Sequence, residues 1–196
     1  MITSLTLETV SGKLLDPSNI DPDDIEITDI AWSLSRISRF AGHTITAIPY
    51  NVSQHCVFVA DMIIKETGNY KAAMLGLLHD AAEAYIGDIP SPIKKIPEMK
   101  AVIEPIEDAI MDVVISKYFV GEADEDIIAS VKYYDKKAQF IEAFHYMSSR
   151  GLDWPNRYNY EITLLDLQSF AQPLTSLESY GLFLSKFKDL RASCNF

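Results

Sequence analysis

The apolar stretch Gly76-Leu77-Leu78 ends abruptly in His79-Asp80, with Glu83 and Asp88 at fixed offsets beyond it, His55 upstream and Asp135 downstream. A lone His-Asp pair carries little meaning, but polar groups at the end of an apolar stripe are costly unless they are used. His55, His79, Asp80 and Asp135 together offer two nitrogens and two oxygens, enough for one divalent cation with positions left open to water or phosphate. Mixed imidazole and carboxylate ligation suits Mn, Co, Fe, Ni or Zn, and affinity alone does not choose among them. A cation so held lowers the pKa of a coordinated water and polarises a phosphoryl oxygen, which makes hydrolysis of a phosphate ester or anhydride the natural reaction. Glu83 and Asp88 then remain for proton chemistry, one as base or water-orienting group, the other as acid toward the leaving oxygen or as holder of a second ion such as Mg. Arg39 and Lys94 are the best phosphate-binding candidates, the arginine because its planar fork matches phosphate oxygens.

These residues need helices to bring them together. In a helix, residues three or four apart share a face, so Asp80 and Glu83 align, as do His79 and Glu83. The apolar spacing predicts a first helix after Thr28, with Ile30, Leu34 and Ile37 on one face and Arg36 and Arg39 near its end, both able to point into a cleft. A second helix follows an N-cap at Ser53 and ends near Gly68, with His55, Val59 and Ile63 on its buried stripe. A third runs from about Tyr70 to Tyr85 and stops at Gly87, and Asp88 to Lys94 reads as a Pro-stiffened loop. Pro105 starts or kinks a helix reaching about Tyr118. The helix from about Glu125 to Ser149 places Ile128, Val131 and Ala138 beside Asp135 and stops at Gly151. The segment from Trp154 to Tyr160 reads as a packed loop, and a last helix fits Ser176 to Arg191. The opening segment, through Leu15-Asp16-Pro17-Ser18-Asn19 and Asp21-Pro22-Asp23-Asp24, is turn-rich and expected to be irregular, and Ile45–Tyr50 is the one doubtful strand. The expected class is all-α.

With 196 residues and 48% apolar composition, the chain is expected to form one domain spanning 1–196 with a full core. Cys56 and Cys194 are expected to be plain thiols in a reducing compartment, since Cys56 falls inside a helix far from its counterpart. No apolar run approaches a membrane span, and the first residues lack the basic start of a signal peptide, so a cytoplasmic location is expected. A net charge of −11 works against binding a nucleic-acid polymer, whereas a small phosphorylated substrate needs only a metal and one or two local cations.

The pattern His55, His79-Asp80, Asp135 resembles the H…HD…D motif of the HD-domain phosphohydrolases, an all-helical superfamily of metal-dependent enzymes, and so implies a compact helical HD domain. The segment His79 to Lys94 is similar to that of the bacterial 5′-deoxynucleotidases, which implies catalytic roles for Glu83 and Asp88 and phosphate binding by Arg39. Asp29–Thr44 and Tyr50–Cys56 look closer still to phage enzymes that hydrolyse dATP, implying conversion of dATP to deoxyadenosine, with phosphates leaving as triphosphate or stepwise. Phe40 stands where the bacterial enzymes pack a Trp against the sugar, so the resemblance places Phe40 in the substrate site. Ala84 after Glu83 departs from the His-Asp-x-x-Glu-Asp of guanosine tetraphosphate hydrolases. The resemblance also implies a homo-oligomer.

The leading expectation is therefore a dATP triphosphohydrolase. Its rival within the class is a 5′-deoxynucleotidase acting on deoxynucleoside monophosphates. A catalytically inactive nucleotide-binding or assembly module is the rival from another class, and cleavage of cyclic dinucleotides lacks the extra histidines of a larger metal cluster.

Overall fold

Turn-forming residues organise the start of the chain before its first long helix. In the computed structural model, which describes residues 6–17, 19–168, 170 and 172–194, β1 (Leu7–Glu8) and β2 (Leu14–Leu15) form a small antiparallel hairpin. The opening expected to be irregular thus holds this hairpin and, at Pro22–Asp24, a 3₁₀ turn capped by the Asp21 side chain, with Ser18 outside the described residues. The hairpin is tied to α1 (Ile27–Leu34) where the Ser11 amide and hydroxyl both donate to the buried Asp29 carboxylate. α1 begins slightly earlier than the spacing predicts and ends at Leu34, so Ile37 packs on the core from beyond the helix. Ile45–Tyr50 is not a strand; the isolated bridge between Ser38 and Asn51 lies just beyond it.

Asn51, not Ser53, caps α2 (Val52–Thr67): its side chain accepts from the Gln54 amide. Both residue types can cap a helix, but the Ser53 hydroxyl donates across the core to the Ser179 carbonyl at 3.0 Å. Gly68 closes α2 in the left-handed region, and Asn69 caps α3 (Tyr70–Leu78). The helix expected to run to Tyr85 stops at Leu78 instead. Over His79–Ala82 the amides bond three residues back, as from Ala81 to Leu78 and from Glu83 to Asp80, and helix resumes as α4 (Glu83–Ile86). The expected loop before Lys94 contains a single helical turn, α5 (Ser91–Lys94), because Pro92 sits in its first turn where a missing N–H is tolerated.

α6 (Pro97–Tyr118) starts on a proline and carries Pro105 within it. Asp124 caps α7 (Glu125–Tyr146), which sets a register with Ile127, Val131, Tyr134, Ala138 and Ile141 inward. That register turns Ile128 outward, 38% exposed, against expectation, and the helix ends short of Ser149. Trp154 and Tyr160 do pack on Phe140, although Tyr158 is exposed. A short helix not expected from the sequence, α8 (Leu164–Gln168), precedes α9 (Ser176–Ser193), which opens with a Thr175/Glu178 capping box.

The core lies where α2, α3, α7 and α9 meet, with Val59, Ile63, Met74, Leu78, Ala138 and Phe183 among its buried side chains. Gly76 allows the closest approach of α3 to α2: a Cβ there would lie 2.7 Å from Ile63 Cδ1 and 3.3 Å from Val59 Cγ1. Gly76→Ala is accordingly expected to destabilise the fold by about 1–3 kcal/mol through overpacking, measured as a lowered midpoint in urea unfolding. Cys56 and Cys194 are free thiols, and no helix among the described residues is long and apolar enough to cross a membrane.

Candidate active site

Three helical elements converge on one point. His55 sits one turn into α2 and is fully buried, His79 follows the last residue of α3, Asp80 lies in the tight turn beyond it, and Asp135 is midway along α7. His55 Nε2 lies 3.3 Å from Asp135 Oδ1, 3.6 Å from Asp80 Oδ2 and 3.3 Å from His79 Nε2. His79 Nε2 is 3.2 Å from Asp80 Oδ2 and 3.9 Å from Asp135 Oδ1. Ligands about 2.1 Å from a common cation stand roughly this far apart: His55, His79 and Asp135 form one group that could hold an ion, and Asp80 lies beside both imidazoles.

The hydrogen bonds behind the imidazoles fit a metal as well. His55 Nδ1 is 2.6 Å from the Glu142 carboxylate, and His79 Nδ1 is 2.7 Å from the Gly76 carbonyl. Both partners are acceptors, so each ring carries its proton on Nδ1 and turns the Nε2 lone pair toward the other ring. Two such nitrogens between two carboxylates suit a positive charge, either a metal ion or, in its absence, the proton that the neighbouring Asp80 carboxylate draws onto His79. Burial pulls the His79 pKa down, but the Asp80 carboxylate beside it outweighs this and raises it well above the usual histidine value. Cys56, His79 and Asp80 form a second possible donor group. Burial pushes the Cys56 thiol up to about 11, which keeps it protonated and leaves the nitrogen and oxygen donors as the better set.

The other candidate residues come from loops and short turns. Arg39 follows the Ser38–Asn51 bridge, and its Nη1 reaches to 3.6 Å from Asp80 Oδ2 while its Nε donates to Glu142 at 3.0 Å. Phe40 and Ala41 then adopt left-handed φ values of 55° and 50°, a conformation that a bulky side chain enters only under constraint from its surroundings. The Phe40 ring lies 6.0 Å from that of Trp154. Glu83, first in α4, is buried; its Oε2 has no hydrogen-bond partner and its Oε1 is 3.8 Å from Lys94 Nζ. Burial, with the charges of Asp80 and Asp88, pushes the Glu83 carboxyl up to about 9, and burial also raises that of Asp88. Lys94 Nζ is held by Glu107 of α6.

Arg36 is not brought to this cluster. Because α1 stops at Leu34, its guanidinium folds back over the Trp32 ring, 3.4 Å from the centroid, and donates to the Trp32 carbonyl and the Ser35 hydroxyl. It lines a different cavity, with Asp29, Trp32 and Tyr85. Conversely, the spacing argument overlooked Glu142, which is 0% exposed and in contact with His55, Arg39 and Tyr50. A sequence trace exists: Glu142 falls seven residues after Asp135, on the same face, inside the apolar run Phe140-Ile141-Glu142-Ala143.

A histidine, a His-Asp pair and an aspartate held at one point by a helical core define an HD-domain phosphohydrolase. The family described as 5′-deoxynucleotidase YfbR-like matches residues 29–119, which hold every one of these residues except Asp135. The uncharacterised protein YfdR of Escherichia coli K12 is 35% identical over 186 residues, covering 94% of this chain and 94% of the relative. An uncharacterised Rhodobacter capsulatus protein is 34% identical over 87 residues, or 43% of this chain and 44% of its own length. The chain belongs to the YfbR-like 5′-deoxynucleotidase family of the HD-domain superfamily.

Proposed function

We propose that this phosphohydrolase removes the single phosphate of a deoxynucleoside monophosphate, in preference to the dATP triphosphohydrolase activity expected from the sequence. The family match over residues 29–119 carries the proposal, since that family is described as 5′-deoxynucleotidase. The local charge supports it. The cations paired with cluster carboxylates are Arg39, Lys94 and Lys136; Lys94 is already held by Glu107, and Lys136 is 45% exposed. A monophosphate dianion needs only one guanidinium and a metal close by, whereas a triphosphate brings further charge toward the Asp88 carboxylate.

In this reading His55, His79, Asp80 and Asp135 hold the cation, which when bound supplies an acidic water and a polarised phosphoryl oxygen. Arg39 uses its free N–H groups to grip the non-bridging phosphate oxygens. Asp88 orients the attacking water and takes up its proton. Glu83, whose carboxyl is pushed up to about 9 by burial and the charges of Asp80 and Asp88 in the metal-free site, delivers its proton to the leaving 5′ oxygen as the P–O bond breaks. Water oxygen ends on phosphorus, giving inorganic phosphate and a deoxynucleoside. Phe40 packs against the sugar, and Lys94 steadies Glu83 and the phosphate. Self-association and a cytoplasmic location belong to the same proposal.

The test removes the metal, restores Co, Mn or Zn in turn, and follows ribo- and deoxynucleoside mono-, di- and triphosphates by chromatography. The expected result is metal-dependent release of phosphate from deoxynucleoside monophosphates, with ribonucleotides and triphosphates spared. Turnover confined to dATP would return the protein to the triphosphohydrolases.

A further inference from the structure

We infer that Glu142 is a positioning residue that serves the metal-binding and phosphate-binding halves of the site through its two carboxylate oxygens. This rests on the site assignment made above and deepens it. Oε1 lies 2.6 Å from His55 Nδ1 and 3.1 Å from the Tyr50 hydroxyl, while Oε2 accepts from Arg39 Nε at 3.0 Å. Glu142, His55 and Tyr50 are each 0% exposed, so water cannot replace these contacts.

The two oxygens do different work. Oε1 holds the proton on His55 Nδ1, which commits the Nε2 lone pair to the cluster and fixes the ring plane. Oε2 occupies the Nε edge of Arg39 and leaves the remaining guanidinium N–H groups to point toward Asp80 and the space above it. A planar fork gripped at one edge is aimed at the other. Tyr50 adds a third donor, and because it lines the cavity bounded by Phe58, Phe170 and Leu174, it closes the network on the side away from the cluster. Neither functional group can shift without disturbing the carboxylate that the other uses. Metal loading and phosphate binding are therefore coupled, and the coupling is reciprocal.

The test compares wild-type protein with Glu142→Asp and Glu142→Gln. It titrates Co²⁺ without substrate, recording its visible absorption spectrum, and separately measures inhibition by inorganic phosphate in the Co²⁺-loaded enzyme. Shortening the side chain by one methylene in Glu142→Asp withdraws it from both partners. Co²⁺ affinity should fall by about 10–100-fold with an altered spectrum, and phosphate inhibition should weaken at least about fivefold. Glu142→Gln keeps the length but has only one oxygen, so it satisfies either the His55 N–H or the Arg39 N–H. At least one of the two properties should fall, and this isosteric variant carries the test if the aspartate variant does not fold. A folded Glu142→Asp with either property within about twofold of wild type, or a folded Glu142→Gln with both retained, overturns the inference. Wild-type protein that binds no Co²⁺ overturns the assignment of the metal ligands and this inference with it, whereas wild-type binding with unchanged variants overturns the inference alone.

Discussion

Asp80→Ala is expected to abolish divalent-metal binding and to lower turnover by on the order of a thousandfold or more, equivalent to about 4 kcal/mol of transition-state stabilisation. The variant should still fold. The Asp80 side chain is 19% exposed, and its partners keep others: Arg39 retains Glu142, and His79 retains the Gly76 carbonyl. The imidazoles hold both the Asp80 and the Asp135 carboxyls below the usual carboxylate range despite burial, and without Asp80 the Asp135 carboxylate still faces His55 at 3.3 Å. Circular dichroism and a cooperative melt check the fold, and calorimetric Co²⁺ titration checks the site. Full activity in a metal-free Asp80→Ala protein would remove the basis for assigning the reaction to this cluster. His55→Ala is a poorer probe, because it strips the fully buried Glu142 of a charge-assisted partner and confounds catalysis with folding.

Glu83→Gln should have the second largest effect, lowering kcat by about 10²–10⁴-fold with little change in KM, as expected when a proton donor is lost and binding is not. It has a second readout without substrate. The Glu83 carboxyl lies at about 9 in the folded protein against an ordinary value of 4.5. Between those values the native state keeps a proton that the unfolded chain has released, so the contribution of this group to stability declines as pH rises through that window. Metal-free wild-type protein should therefore lose stability between about pH 6 and about pH 8.5 relative to Glu83→Gln, which has no proton to lose. Parallel denaturant titrations at the two pH values measure it. Equal pH dependence in the two proteins would show that Glu83 is already ionised and unfit as the acid.

The candidate ligand residues were legible in the sequence because histidine and aspartate were set in apolar surroundings, and the helices carrying them declared themselves by period and by the glycines after them. Other features were not legible, for local reasons. The break at His79–Ala82 changes the hydrogen-bond step while His79 and Ala82 stay in the right-handed helical region, so apolar spacing runs through it undisturbed. Asn51 and Ser53 can both cap, and the choice fell to a bond with Ser179 in a helix more than a hundred residues away. The inward register of α7 depends on Asp124, and a one-residue phase slip suffices to exchange Ile127 for Ile128. Arg36 and Arg39 look equivalent as letters three apart. Only the end of α1 at Leu34 sends one to Trp32 and the other to Asp80.

The site divides by construction. Its cation-facing atoms come from or adjoin α2, α3 and α7, which share the core, whereas Arg39, Phe40, Asp88 and Lys94 stand on the chain between helices or on a single turn, where α4 and α5 are short. Phe40 lies against Trp154, away from the carboxylates, so substitution there changes what is gripped without repacking the cation-facing floor, whereas Arg39 reaches that floor through Glu142. A scaffold built this way can take up a different nucleotide by change at Phe40 while the groups that move protons stay in place.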